Sequence, residues 1–288
     1  RSFHVTGVQT CALPIYYDLH SHSTVSDGTL TPRELVERAQ QKGVDVLALT
    51  DHDEVVGSLE AVAAAQEFGI ELVAGVEVSV TWRKQTIHIV GLNIDPHSKE
   101  LNLGLGRLQK YREWRGEEIG RKLEKAGVEG AYAGALALKQ GDLLTRTHYG
   151  RFLHNSGVVG SMQEAFKKYL LPGKKGYVRG EWATIEEALS WINAAGGVAV
   201  VAHPARYNMS RTKLRSMLGE FIECGGVGLE VVSSAHNNNE VITMADHAQQ
   251  LKLAASRGSD FHDPKNSWVE LGRLQQIPKK CDPIWERF

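Results

Sequence analysis

Short, almost wholly apolar runs alternate with amphipathic stretches along most of this chain. Val44–Leu49, Val198–Ala202 and Val227–Val232 have the length and composition of buried parallel strands. Residues 16–20, Ile70–Val80 and Leu253–Ser256 read as further strands, and a tight turn near Arg83-Lys84-Gln85 leads back through Thr86–Val90. The stretches between carry helix signals. Thr31-Pro32-Arg33-Glu34 is a capping box with Pro at the first helical position. Leu35, Val36 and Ala39 form the apolar side of that helix, and Gly43 ends it. Ser58 is expected to cap an Ala-rich helix closed by Gly69. Thr184-Ile185-Glu186-Glu187 is a second capping box, opening a helix that ends at Gly196-Gly197. Helices follow through Leu214–Glu223 and near Asn239–Gln250. This rhythm of strand and helix predicts an α/β fold with parallel strands joined by crossovers.

The rhythm breaks after Asp95-Pro96 and resumes near residue 183. Between them the chain reads as helical, with Leu105, Leu108, Tyr111 and Ile119 on one helix face and further helices over Asp142–Ser156 and Met162–Leu170. Residues 16–97 and 183–288 are therefore expected to form one barrel, and 98–182 a helical insertion over it. The insertion is also basic. Residues 107–180 hold 15 Lys and Arg against 7 Asp and Glu, or +8, whereas the rest of the chain holds 18 against 27, or −9. A basic module within an acidic protein suits a phosphate-bearing ligand, although Lys and Arg also simply solvate helices.

Residues 1–15 have neither period and read as translated sequencing adapter joined to a shortened reading frame, so they are set aside. Cys11, Cys224 and Cys281 have no paired spacing, which implies neither a disulfide framework nor a Cys-based zinc site and favours a cytoplasmic setting. No apolar run approaches the ~20 residues of a membrane span.

The candidate chemistry starts in Tyr17–Gly28. His20 and His22 are two residues apart, which on a strand puts both imidazoles on one face, and Asp27 follows at a turn. His52, Glu77, His203, Asp260 and His262 also fall at or just past expected strand ends, and His88 sits between two isoleucines and faces away from them. Loops at that end of a parallel barrel converge on one site. With Asp27 and His88 the set is too large for one tetrahedral ion but suits two or three. Its nitrogen and oxygen donors fit Zn, Mn or Fe. Glu77 has two oxygens with which to bridge metals, and a bridging water would become a hydroxide near neutral pH. No G-x-S-x-G elbow, Walker A loop, Rossmann fingerprint or Cys–His pair offers another chemistry.

Taken together, His20-x-His22, Asp27, Thr50-Asp51-His52-Asp53, Gly75-Val76-Glu77, His88, His203-Pro204 and Asp260-x-His262 resemble the polymerase-and-histidinol-phosphatase (PHP) superfamily, over residues 17–288. The resemblance implies a distorted seven-stranded barrel and a metal cluster. By it, His20, His22, Glu77 and Asp260 would hold one ion, Asp27, His52 and His262 a second, and Glu77, His88 and His203 a third. Glu77 and Asp260 would hold the attacking hydroxide, and Asp51 and Asp53 would support the ligands from outside. Within the superfamily, Glu77–Trp82, Thr86–Leu92, His203–Tyr207 and Trp268–Arg273 are similar to bacterial 5′-3′ exoribonucleases and 3′,5′-nucleoside bisphosphate phosphatases. That likeness implies two or three ions, Mn first with Fe or Zn as alternatives, acting on a nucleotide or short RNA, with no obligate protein partner.

Arg146 and His148 lie in a stretch similar to the family's Arg-Pro-His motif, with Thr147 in place of Pro, and with Arg206 and His236 are the expected substrate contacts. Two other readings remain open at this stage. One is a histidinol-phosphate type of PHP phosphatase. The other is a non-catalytic protein that binds nucleotides through metal.

Overall fold

The computed structural model describes residues 15–288, so the adapter-like tail lies almost wholly outside the described residues. Seven strands form one sheet in chain order: β1 (Tyr17–Asp18), β2 (Val46–Leu49), β3 (Glu71–Trp82), β4 (Gln85–Leu92), β5 (Val198–Val201), β6 (Gly228–Ser233) and β7 (Ala254–Gly258). The sheet curls until its edges meet. Leu19 N–H donates to Arg257 O at 3.0 Å, Asp260 N–H to His20 O at 2.8 Å and His22 N–H to Phe261 O at 2.9 Å. The result is a nearly closed barrel.

Crossover helices cover the outside: α1 (Pro32–Gln41), α2 (Ser58–Phe68), α7 (Ile185–Ala194), α8 (Arg211–Glu223) and α9 (Asn238–Leu251). Both expected capping boxes form, at Thr31 and Thr184. Ser58 does not cap α2. It is the first helical residue, Gly57 is the cap, and no side chain bonds there.

The sheet is not uniformly parallel. β4 runs antiparallel to both neighbours, because β3 and β4 are joined only by Arg83 and Lys84. Both have positive φ, 43° and 73°, the conformation a two-residue hairpin requires. The hairpin also lengthens β3, so Glu77 lies mid-strand rather than at a strand end. It still reaches the barrel mouth, because the shorter β2 stops earlier and His52 beyond it bridges to Glu77.

Alternation along each strand then decides what the barrel holds. Val73, Val90, Leu92, Val200 and Ala254 point inward with Leu19 and Ile284, forming an apolar floor. Val76, Val78, Val80, Ile87 and Ile89 point outward against the helices. Further up, the inward columns turn polar: Glu77 and Ser79 follow Val73 on β3, and His88 precedes Val90 on β4.

Between β4 and α7 the described elements are helical: α3 (Lys99–Lys125), α4 (Ala131–Ala137), α5 (Arg146–Asn155) and α6 (Met162–Ala165), which continues as a π turn to Leu170. The short α4 carries no sequence signal that singled it out. α5 begins four residues later than Asp142 because Thr145 supplies its cap. The first half of α3 packs into the barrel's outer core through Leu101, Leu105 and Leu108. From Ile119 onward the helices surround a core of their own, with Leu123, Tyr149 and Leu153. Among the described residues no helix is long and apolar enough to cross a membrane.

Candidate metal centre

Glu77 stands at the middle of the barrel mouth, fully buried. Its Oε1 lies 2.8 Å from His88 Nδ1, 3.0 Å from His203 Nε2 and 3.3 Å from His20 Nε2. Its Oε2 lies 2.8 Å from His52 Nδ1 and 3.4 Å from His22 Nε2. Asp260 Oδ1 completes one side, 3.3 Å from His22 Nε2 and 3.6 Å from His20 Nε2. Asp27 Oδ1 lies 3.3 Å from His262 Nε2 and 3.9 Å from His52 Nε2. All nine side chains singled out from the sequence as ligands thus meet in one cluster. Ligand atoms within 4.8 Å of one another fall into three overlapping groups: His20, His22, Glu77 and Asp260; His22, Asp27, His52 and His262; and His52, Glu77 and His88. His22, His52 and Glu77 are each shared between two groups, and His203, which was expected with Glu77 and His88, belongs to none of the three.

The loops that carry these residues are tightly held. Asp51 accepts from Ser23 N–H at 2.8 Å, Ser23 Oγ at 2.6 Å and Ser26 Oγ at 2.7 Å, and so fixes the loop between His22 and Asp27. Gly28 is required there: a Cβ at this position would lie 2.3 Å from His22 O. Asp53 accepts from Ser79 N–H at 2.6 Å and from Arg112 Nε at 2.6 Å. Asp53, His203 and Asp260 have φ of 50°, 29° and 56°. Such backbone is uncommon for non-glycine residues and persists only where the surroundings impose it.

The electrostatics favour cations. Burial works to raise the carboxyl of Glu77, but His88, His52 and His20 around it hold it well below the usual range. Burial likewise opposes Asp27 and Asp260, which His262 and Arg206 respectively hold well below that range. Burial, with the His262 cation nearby, lowers His22 to about 3. Burial lowers His88 to about 4 despite the Glu77 charge. At neutral pH the carboxylates are therefore ionised and His22 and His88 are neutral, the forms that bind metals. Asp27 Oδ1 and Glu77 Oε2 are buried acceptors without a hydrogen-bond donor. His20 Nε2 and His22 Nε2 face each other at 3.1 Å. Unpartnered acceptors such as these carboxylate oxygens are costly alone and well matched to ions placed among them.

The expected substrate contacts are placed less uniformly. Arg206 pairs with Asp260 Oδ2, beside the cluster. Thr145 Oγ1 donates to Asp27 Oδ2 at 3.1 Å, which sets the start of α5 against the cluster. Arg146 is the first residue of that helix. His148 spends Nδ1 on the helix cap, accepting from Thr145 N–H at 3.0 Å. Thr147 N–H also bonds Thr145 Oγ1, at 3.1 Å, which a Pro there could not do. His236 is buried, with Nδ1 3.1 Å from Val231 O and Nε2 without a partner.

Sequence reasoning missed Thr145, Arg112 and Glu230. Glu230 left a signal, as the one charge in the apolar run Val227–Val232.

Residues 18–234 match the family model described as PHP domain. The chain is 45% identical over 272 residues to a 3′,5′-nucleoside bisphosphate phosphatase of Chromobacterium violaceum, covering 94% of this chain and 95% of that one. It is 47% identical over 272 residues to a 5′-3′ exoribonuclease of Haemophilus influenzae, covering 94% and 98%. A solved structure described as an amidohydrolase from Chromobacterium violaceum, with bound sulfate and no metal, superposes with a TM-score of 0.91 at 45% identity, covering 94% and 95%. A match of this length and identity, on a barrel with this cluster at its mouth, places the chain in the PHP-domain family of metal-dependent phosphoesterases.

Proposed function

We propose that this chain hydrolyses nucleotide phosphate esters at the Glu77 cluster, on 5′-phosphorylated RNA or on a 3′,5′-nucleoside bisphosphate. The observation that carries the reading is the placement of Glu77. Both its oxygens face imidazoles from four other parts of the barrel, which supports a site where this carboxylate would serve more than one cation. The relatives above, one a phosphatase and one a nuclease, support the substrate class.

His20, His22, Glu77 and Asp260 would hold one ion, Asp27, His52 and His262 a second, and Glu77, His88 and His203 a third. The nitrogen and oxygen donors fit Mn first, with Fe or Zn as alternatives. Bound there, such ions supply an activated water and neutralise charge on phosphoryl oxygens. The chain's own cations complete the site. Arg206 lies beside Asp260 and offers a guanidinium to a phosphoryl oxygen, and Arg146 stands at the start of α5, beside Asp27, to do the same. His236 presents a buried Nε2 with no protein partner.

Product analysis in Mn²⁺ tests the reading, with a short 5′-phosphorylated RNA and adenosine 3′,5′-bisphosphate supplied in parallel. Stepwise release of 5′-mononucleotides establishes the exoribonuclease, and inorganic phosphate from the bisphosphate alone establishes the phosphatase. No product from either substrate overturns the proposal.

A further inference from the structure

Glu230 stands inside the barrel on β6 and has no part in the roles assigned above. Its neighbours Leu229 and Val231 face the outer core, so Glu230 faces inward, where it is buried. A register shift against β7 begins at this residue, a bulge of the kind that re-aims side chains. Glu230 Oε1 lies 3.2 Å from His20 Nδ1. Glu230 Oε2 accepts the backbone N–H of His203. One carboxylate thus holds two residues that enter from opposite sides, His20 after β1 and His203 after β5.

Both of those imidazoles turn Nε2 toward the same atom. His20 Nε2 is 3.3 Å and His203 Nε2 3.0 Å from Glu77 Oε1. His203 has a φ of 29°, and the bond from its N–H to Glu230 helps hold that unfavourable backbone. β7 makes room for the arrangement. A Cβ on Gly258 would lie 2.2 Å from His20 Cβ and 2.8 Å from Glu230 Oε1, so only glycine lets the two meet across this strand.

We propose that Glu230 is a positioning residue of the cluster: its Oε1 at His20 Nδ1 orients that ring so that Nε2 faces Glu77, and its Oε2 fixes the backbone that carries His203. Histidine ligands commonly donate their second ring N–H to such a carboxylate, and losing that partner typically weakens metal affinity about 10- to 100-fold. The inference rests on the metal reading given under Proposed function.

Mn²⁺ titration of the full chain by calorimetry, wild type against Glu230→Gln, tests it. A glutamine oxygen satisfies one of the two N–H donors and turns its own NH₂ toward the other. The variant should lose about 10- to 100-fold in affinity for ions beside Glu77. Affinity for an ion held by Asp27, His52 and His262 should stay the same. A folded variant with unchanged affinity for every ion overturns the inference and leaves the metal reading intact. A wild type that binds no Mn²⁺ overturns both. Should Glu230→Gln fail to fold, Glu230→Asp keeps the test open, since it retains the charge but draws the carboxylate back by one methylene. It should also lose affinity for ions beside Glu77, and a folded Glu230→Asp with wild-type affinity for every ion overturns the inference.

Discussion

Arg112 Nε donates to Asp53 Oδ2 at 2.6 Å, so a helix of the basic segment is bonded directly to the residue that follows His52. Arg112 Nη2 also reaches Ser79 Oγ at 2.8 Å, and its guanidinium lies over the Trp182 ring, 4.9 Å from the centroid. Both members of the ion pair are buried. Removing one partner leaves the other as an uncompensated buried charge. Arg112→Met should therefore cost about 3–5 kcal/mol in urea unfolding. The double variant Arg112→Met with Asp53→Asn should recover part of that loss. Additive losses would show that the pair does not act as a unit.

His22 is one of the four donors proposed for the ion beside Glu77 and Asp260, with Nε2 3.4 Å from Glu77 Oε2 and 3.3 Å from Asp260 Oδ1. His22→Ala should therefore lower the number of ions retained per chain after Mn²⁺ loading and desalting. Asp260→Ala removes a carboxylate from the His20 and His22 group and should lower metal content and activity together. Activity should fall by more than about 100-fold, since even partners outside the ligand set are typically worth 10- to 100-fold. Unchanged metal stoichiometry in His22→Ala and Asp260→Ala would overturn the ligand assignment.

The barrel was legible where local signals agree. Thr31 and Thr184 mark their helices by capping boxes that depend on four consecutive residues, and the apolar runs at Val46–Leu49 and Val198–Val201 have no other home than a buried strand. The reversal into β4 was legible too, as a tight turn near Arg83-Lys84-Gln85, and the structure puts it at Arg83 and Lys84; what no local pattern gave is that β4 then also pairs antiparallel with β5. The candidate ligands stood out as histidines and carboxylates repeatedly placed at or near expected strand ends. What holds them did not. Glu230 meets His20 across 210 positions of sequence, and Thr145 meets Asp27 across 118, and no local pattern encodes such contacts.

Arg146 makes no ion pair among the described residues, and burial lowers its pKa from the ordinary arginine value. A guanidinium left without a carboxylate at the start of α5 is free to take a phosphate. Arg146→Ala should raise KM for either candidate substrate about 10- to 100-fold, the worth of one charge-assisted hydrogen bond of roughly 1.5–3 kcal/mol. Its stability should change little, since no ion pair is broken. Unchanged KM with a lowered unfolding midpoint would make Arg146 a packing residue against Phe166.

His148 fills the third position of α5, where Glu or Gln usually completes a capping box, and it does so with a bare Nδ1 that accepts from Thr145 N–H. Burial, only partly opposed by the Asp27 charge, lowers its pKa from 6.5 to about 4. Between those values the unfolded chain binds a proton that the folded chain refuses. Stability should thus fall as the pH drops through that window, by up to about 1.4 kcal/mol per pH unit, and show no His148 contribution to its slope above it. Gln in place of His keeps the acceptor for Thr145 N–H and cannot titrate. Urea unfolding of the wild type and His148→Gln should therefore agree near pH 7.5 and diverge toward pH 5, with the variant the more stable. The same variant separates the cap from any contact with substrate. If His148 also reads the phosphate through Nε2, His148→Gln should raise KM while α5 stays folded. Parallel stability curves from pH 7.5 to 5 would show that His148 titrates alike in the folded and unfolded chain and is not held neutral by burial.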